Sequence, residues 1–270
     1  MSASIPVTAT PALPPATDTR PLSFGRILKV ELRKSWDSRA AFWLLVVIGG
    51  LVALVELIAT LVTGLQDHDA AWGDFAAVAG VVTSFLLPVL GIMLVTTEWG
   101  QRTAMVTFAL EPRRPLVIAA KAVVGVVLTL LTVAMAIVVG AVCNVIYAVL
   151  AGHSDWNLHV GDLLGFVVTQ VLAMLGGFAL ACLFLNTAAA IVTFFVYSYV
   201  LPGLIILGRN TMDWFDKVAP WIDFASAQGP FTDGWDFSGS DWAHLLTSAL
   251  LWLGVPLFFG VSRILRAEVK

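Results

Sequence analysis

Apolar runs of about 20 residues recur along the chain, divided by short polar stretches, and a bilayer core takes about that length of helix to cross. Six segments qualify, approximately Phe42 to Gly64, Phe75 to Thr97, Leu116 to Ala148, Leu163 to Leu185, Ala188 to Leu207 and Trp242 to Val261. The third is overlong and is expected to begin near Lys121, whose stem can run along apolar surface while its ammonium reaches the headgroups. Only Asn186-Thr187 separates the fourth from the fifth, which requires a tight helical hairpin.

Amphipathic patterns fill the intervals. Ahead of the first span, Phe24, Ile27, Leu28, Leu32 and Trp36 recur at helical spacing, with Arg26, Lys29, Arg33 and Lys34 largely off that stripe. This predicts an interfacial helix basic enough to rest on anionic lipid, serving as an anchor, as a docking element, or as both. Between the second and third spans, Met105, Phe108 and Ala109 share one side of a short helix that Pro112 stops. Between the fifth and sixth, Trp214, Phe215, Val218, Trp221, Ile222 and Ala225 form a stripe interrupted by Pro220, which predicts two short helices in the opposite interface. The expected fold is thus all-α and polytopic, with a disordered Pro-, Thr- and Ala-rich tail over 1–22 and one six-helix membrane domain over 23–270.

Composition agrees and excludes a soluble globular fold. With 59% apolar and 12% charged residues and a mean hydropathy of +0.91, the chain lacks the polar residues needed to cover a soluble surface. A net charge of -3 gives no argument for nucleic acid as a partner. The distribution of charge is more informative. Six spans put thirteen basic residues on one side, including Arg26, Lys34, Arg102, Arg113, Arg114, Lys121, Arg263 and Arg266, and only Arg209 and Lys217 on the other. The positive-inside rule then places both termini in the cytoplasm of a cell bounded by the plasma (inner) membrane. Eleven aspartates, all four histidines and six tryptophans fall on the outer side, as an interfacial aromatic belt would have it.

Catalytic signatures are mostly lacking. The chain has no Gly-Lys dipeptide and so no P-loop, and its spans contain no Asp and no His beyond His244 at the outer end of the sixth, too little for an intramembrane hydrolase, so it is not expected to be an enzyme. Cys143 and Cys182 lie in apolar runs and match no metal or redox spacing. His153, Asp155 and His159 share a loop without a further ligand, and Asp233 to Asp241 fails the spacing of a calcium loop, so no metal is expected. Glu56, close to the midplane of the first span, must face protein or water. It is either a substrate or proton contact or a carboxyl hydrogen-bonded in the bundle, with Thr60 one turn away. Ala76, Gly80 and Ser84, and Gly177 and Ala181, read as small-residue helix contacts. Pro88, Pro202 and Pro256 are expected to kink their helices, Pro202-Gly203 being a flexing point beside Phe194, Tyr197 and Tyr199.

The connection from Glu98 to Lys121 resembles the corresponding loop of type-2 ATP-binding-cassette (ABC) permeases, the membrane subunits of many bacterial exporters. In that family an acidic residue ends the second span, a Thr starts a cytoplasmic coupling helix, and a Pro-x-Arg element precedes a Lys opening the third. Glu98, Thr103, Pro112, Arg114 and Lys121 occupy those places, whereas the Gly that commonly precedes the Thr is Arg102 here. The topology, the basic N-terminal helix and the long outer connection before the last span are also like the family. The resemblance implies an export permease, a homodimer bound to two ATPase subunits that hold the ATP and Mg, and the aromatic spans without a charged pore lining favour a hydrophobic or amphiphilic substrate. It implies coupling through Glu98, Arg102, Thr103, Phe108, Pro112, Arg113, Arg114 and Lys121, and places Glu56, Phe194, Tyr197 and Tyr199 near the substrate path at the dimer axis. Outside that family, a proton-coupled carrier using Glu56 and a non-transporting scaffold or immunity protein also fit the residues.

Overall fold

In lipid, every backbone N–H and C=O must be satisfied within the segment, so long apolar runs become helices. The computed structural model describes residues 23–37, 39–66, 69–101, 103, 106–108, 111, 113–156 and 159–266, and among these the only β-pairing is an isolated bridge between Ala71 and Asp155. A short helix, α1 (Phe24–Asp37), precedes α2 (Arg39–Leu65), α3 (Trp72–Gly100), α4 (Arg114–Ala151), α5 (Val160–Phe184) and α6 (Thr187–Thr211). Two short helices, α7 (Asp213–Ile222) and α8 (Phe224–Ala227), lead to α9 (Gly239–Arg266). Six of these, α2 to α6 and α9, are long and apolar enough to cross a membrane. The tail over 1–22, Arg102 and Pro112, which the resemblance assigns to coupling, and Met105, Ala109 and Leu110 lie outside the described residues.

The third long helix starts at Arg114, ahead of Lys121, because Pro115 suits the first turn of a helix, where its missing N–H costs nothing. Lys121 therefore lies two turns inside the helix. The hairpin expected at Asn186-Thr187 is present: Leu185 takes a left-handed conformation, and the Asn186 side chain accepts the Ala189 N–H at 3.0 Å to start α6.

The bundle is centred on α3, α4 and α5, which meet where side chains are smallest. Gly177 of α5 lies against the Pro88 backbone of α3, Gly91 of α3 lies against Met174 of α5, and Gly125 of α4 lies against the Met174 thioether. Apolar side chains on α2, α6 and α9, such as Leu54, Ile58, Leu204 and Phe258, stay exposed and supply the lipid-facing surface. At Pro202 and Pro256, where kinks are expected, the helices carry a local change of winding. Each proline follows a π-helical turn, Val196–Val200 in α6 and Leu250–Gly254 in α9. A proline ring presses on the carbonyl four residues back, and the wider turn relieves that crowding. The two widened turns touch through stacked rings of Tyr197 and Trp252, 4.8 Å apart.

Arg114 donates to the Ile264 carbonyl in the last turn of α9 at 2.7 Å, and α1 packs on α4. Both described ends of the chain thus lie at one end of the bundle, here called the terminal end.

Candidate functional site

Four charged side chains form a closed ring at the terminal end. Lys121 of α4 donates to Glu31 of α1 at 2.7 Å and to Glu98 of α3 at 2.8 Å. Lys34 of α1 donates to Glu31 at 2.8 Å and to Glu98 at 3.0 Å. Glu31, Glu98 and Lys121 are largely buried, and Lys34 is half-exposed. Two carboxylates and two ammoniums balance, and each charge has two opposite neighbours, as buried ions require. The Lys121 ammonium thus faces protein rather than reaching for headgroups.

The ring fastens three elements and reaches a fourth. The Lys34 ammonium also lies 3.5 Å from the Thr107 hydroxyl in the connection between α3 and α4. In that connection the Thr103 N–H bonds the Glu98 carbonyl at 2.9 Å, and the Thr103 carbonyl accepts the Val106 and Thr107 N–H groups that open a helical turn over 106–108. Phe108 turns inward, its ring 6.3 Å from that of Trp99 and 5.1 Å from the Arg114 guanidinium. Val106 points outward and is exposed.

The arginines close the ends of other elements. Arg114 sits at the carbonyl end of α9, and Arg263 of α9 donates to the Leu183 carbonyl of α5 at 2.8 Å. Both place a cation where the helix dipole is negative and carbonyls lack partners. Arg113 grips Glu111 with two side-chain bonds of 2.8 and 3.0 Å, and that hydrogen bonding holds the Glu111 carboxyl below its usual pKa.

For Lys34, burial opposes the charged form, but Glu31 and Glu98 outweigh it and hold the ammonium above the ordinary lysine value of 10.5. A group raised in the fold stabilises fully below its unfolded pKa and loses that contribution as pH rises through the folded one. Thermal unfolding in a single detergent is therefore expected to show an alkaline decline above the free lysine value, and Lys34→Met to lack the part due to this side chain. Identical alkaline profiles for the two proteins would remove Lys34 from the ring's energetics.

The four residues expected along a path fall into separate groups. Glu56 is fully buried against α4, beside Cys143, and neither carboxyl oxygen has a hydrogen-bond partner. Thr60 donates to the Glu56 main-chain carbonyl at 2.8 Å and leaves the carboxyl alone. Phe194 and Tyr197 pack toward α5 and α9, with the Tyr197 ring on Trp252 and its hydroxyl over Gly176. Tyr199 faces α3, stacked on Phe85 at 4.4 Å with its hydroxyl 3.2 Å from Ser84. No group of three metal-ligating side chains occurs among the described residues.

Sequence inspection passed over Glu31 and Val106. Glu31 is four residues beyond Ile27, on the apolar stripe of α1, and a carboxylate in that register signals a charged partner across the interface. No protein-family model matches the chain, and no curated protein matches it significantly.

Proposed function

We propose that the chain is the membrane-spanning permease subunit of an ATP-driven exporter of the ABC type-2 kind, with both termini in the cytoplasm and a separate ATPase engaging the terminal end. The observation that carries this reading is the four-charge ring. It joins α1, the end of α3 and the start of α4, and Lys34 extends it to Thr107. A push on the 101–113 connection would pass into three helices at once through short, charge-assisted contacts, as a coupling element requires. The closure of two ATPase subunits, which hold the ATP and Mg, supplies that push, and the permease works as a dimer that alternates between inward-open and outward-open forms. The exposed apolar side chain of Val106 is the contact offered to the ATPase, with Phe108 behind it passing the load to Trp99. A hydrophobic or amphiphilic substrate suits spans rich in aromatic side chains and poor in charge, among which the half-exposed Tyr199 beside Phe85 is open to contact.

Native mass spectrometry of the tagged chain, gently extracted from its own membranes, tests the assembly. Two copies with two nucleotide-binding subunits are expected, and repeated recovery without any ATPase would overturn the reading. Val106→Asp is expected to weaken ATPase capture about tenfold or more, the usual loss when an interface anchor is spoiled, while leaving the unfolding temperature unchanged. Equal capture would exclude Val106 from the contact.

A second reading, the proton-coupled carrier, is favoured by the unpartnered carboxyl of Glu56. It predicts flux that collapses with the proton gradient, ignores ATP depletion and is lost in Glu56→Gln. ATP-dependent flux that survives collapse of the gradient, in the parent and in Glu56→Gln alike, would reject it.

A further inference from the structure

Beneath α1, where α2, α3 and α4 reach the terminal end, the structure holds a cavity of about 690 Å³. Its depth is hydrocarbon, from Leu44 and Leu45 of α2, Leu90 and Leu94 of α3 and Leu128 of α4. Its rim is charged and includes the Glu31–Lys34–Glu98–Lys121 ring. The cavity is open on one side, and its apolar walls do not retain ordered water, so it offers an apolar ligand room that water fills poorly. Its volume lies within the range of about 300–1,000 Å³ typical of small-molecule sites.

Two features identify the occupant. The first is depth: the cavity lies at the first turns of α2, the last turns of α3 and the first turns of α4, the level at which spanning helices pass from hydrocarbon to headgroups. The second is charge. Every carboxylate on the rim has a cation at ion-pair distance: Glu31 and Glu98 share Lys34 and Lys121, Glu111 has Arg113, and Asp37 has Arg33. Arg26, also on the rim and exposed, has no carboxylate within ion-pair distance among the described residues. One uncompensated positive charge thus stands over an apolar shaft.

We propose that this cavity holds an acyl chain of an anionic membrane lipid, with the lipid phosphate at Arg26. The site is independent of the export reading, since it needs only a bilayer on the terminal side. The lipid fills the gap under α1 that the ion ring spans, so it fastens α1 to the bundle from below as the ring does from the rim.

The test uses the full chain in nanodiscs of phosphatidylcholine that carry a trace of phosphatidic acid with a diazirine at mid-chain. After photolysis, labelled peptides are located by mass spectrometry. Label is expected to concentrate on the segments around Leu44–Leu45 and Leu90–Leu94. The same diazirine on phosphatidylcholine, whose phosphate is already neutralised by its own choline cation, is expected to label them about tenfold less, the factor that about 1.4 kcal/mol of attraction between the net lipid charge and Arg26 supplies. Arg26→Gln should bring phosphatidic acid down to the phosphatidylcholine level. Val30→Trp, a bulky side chain at an exposed position on the cavity wall, should abolish labelling, whereas Val138→Trp on the exposed face of α4 should not. Label no denser there than on the exposed stretch around Leu54–Leu61, or equal labelling by the two lipids in both parent and Arg26→Gln, would overturn the proposal. Should Val30→Trp fail to fold, the comparison of lipids with Arg26→Gln decides alone.

Discussion

Replacing Lys121 by Met is expected to lower the stability of the folded chain by about 3–5 kcal/mol, the usual cost of removing one partner from a buried ion pair. The cause is charge arithmetic at the ring. Without Lys121, Glu31 and Glu98 must share the single ammonium of Lys34, and Glu31, 5% exposed, cannot turn to water for compensation. Adding Glu98→Gln to Lys121→Met leaves one carboxylate facing one ammonium, so the double variant is expected to recover much of the loss. Urea or thermal unfolding of the parent, the two single variants and the double variant in one detergent supplies the cycle. Additive single effects would show that the ring does not act as a unit, and a Lys121→Met cost below about 1 kcal/mol would place it with exposed pairs.

The second large effect is expected at Gly177. A Cβ there would come within 2.9 Å of the Pro88 Cα and carbonyl carbon and closer still to the carbonyl oxygen, all of them backbone atoms that no rotamer change can clear. Gly177→Ala must therefore push α3 and α5 apart along their most intimate contact, which we expect to cost about 3 kcal/mol or more, at the upper end of overpacking penalties. Gly50→Ala is the control. Nothing lies within 4 Å of a Cβ at Gly50, so that change should be neutral or slightly stabilising. Gly49→Ala falls between them, since it meets only the flexible Met135 side chain, 3.2 Å away at the sulfur. An unfolding series that fails to rank Gly177→Ala as the most damaging of the three would contradict the packing described.

Hydropathy made the spans legible, because an apolar run of bilayer length has few alternatives to a helix. The break after Leu185 was legible for a local reason as well: Asn186 is a strong N-cap, and its side chain does cap α6. What hydropathy leaves open is rotation. A helix that is apolar on all sides carries no stripe to fix which side meets a neighbour. That is why Glu56, Tyr197 and Tyr199, all within spans, turn out to face α4, α9 and α3 respectively. Polar partners that are far apart in sequence were equally hidden. Glu98 and Lys121 stood out through their loop, but the other half of their ring, Glu31 and Lys34, belongs to a helix read only as a basic amphipath. Thr60 shows the limit of spacing arguments too, since its position one turn from Glu56 serves the backbone and not the carboxyl.

The ring also sets a timetable for biogenesis. Glu31 is separated from Lys121 by 90 residues of chain, and Lys34 from Glu98 by 64. At a synthesis rate of about 5–20 residues per second, roughly 5–20 seconds pass between the emergence of α1 and that of its last partner. Through that interval Glu31 and Lys34 have only each other, and burying them would leave charges uncompensated. Although α1 is made before α4, it is thus expected to dock only once α4 has delivered Lys121.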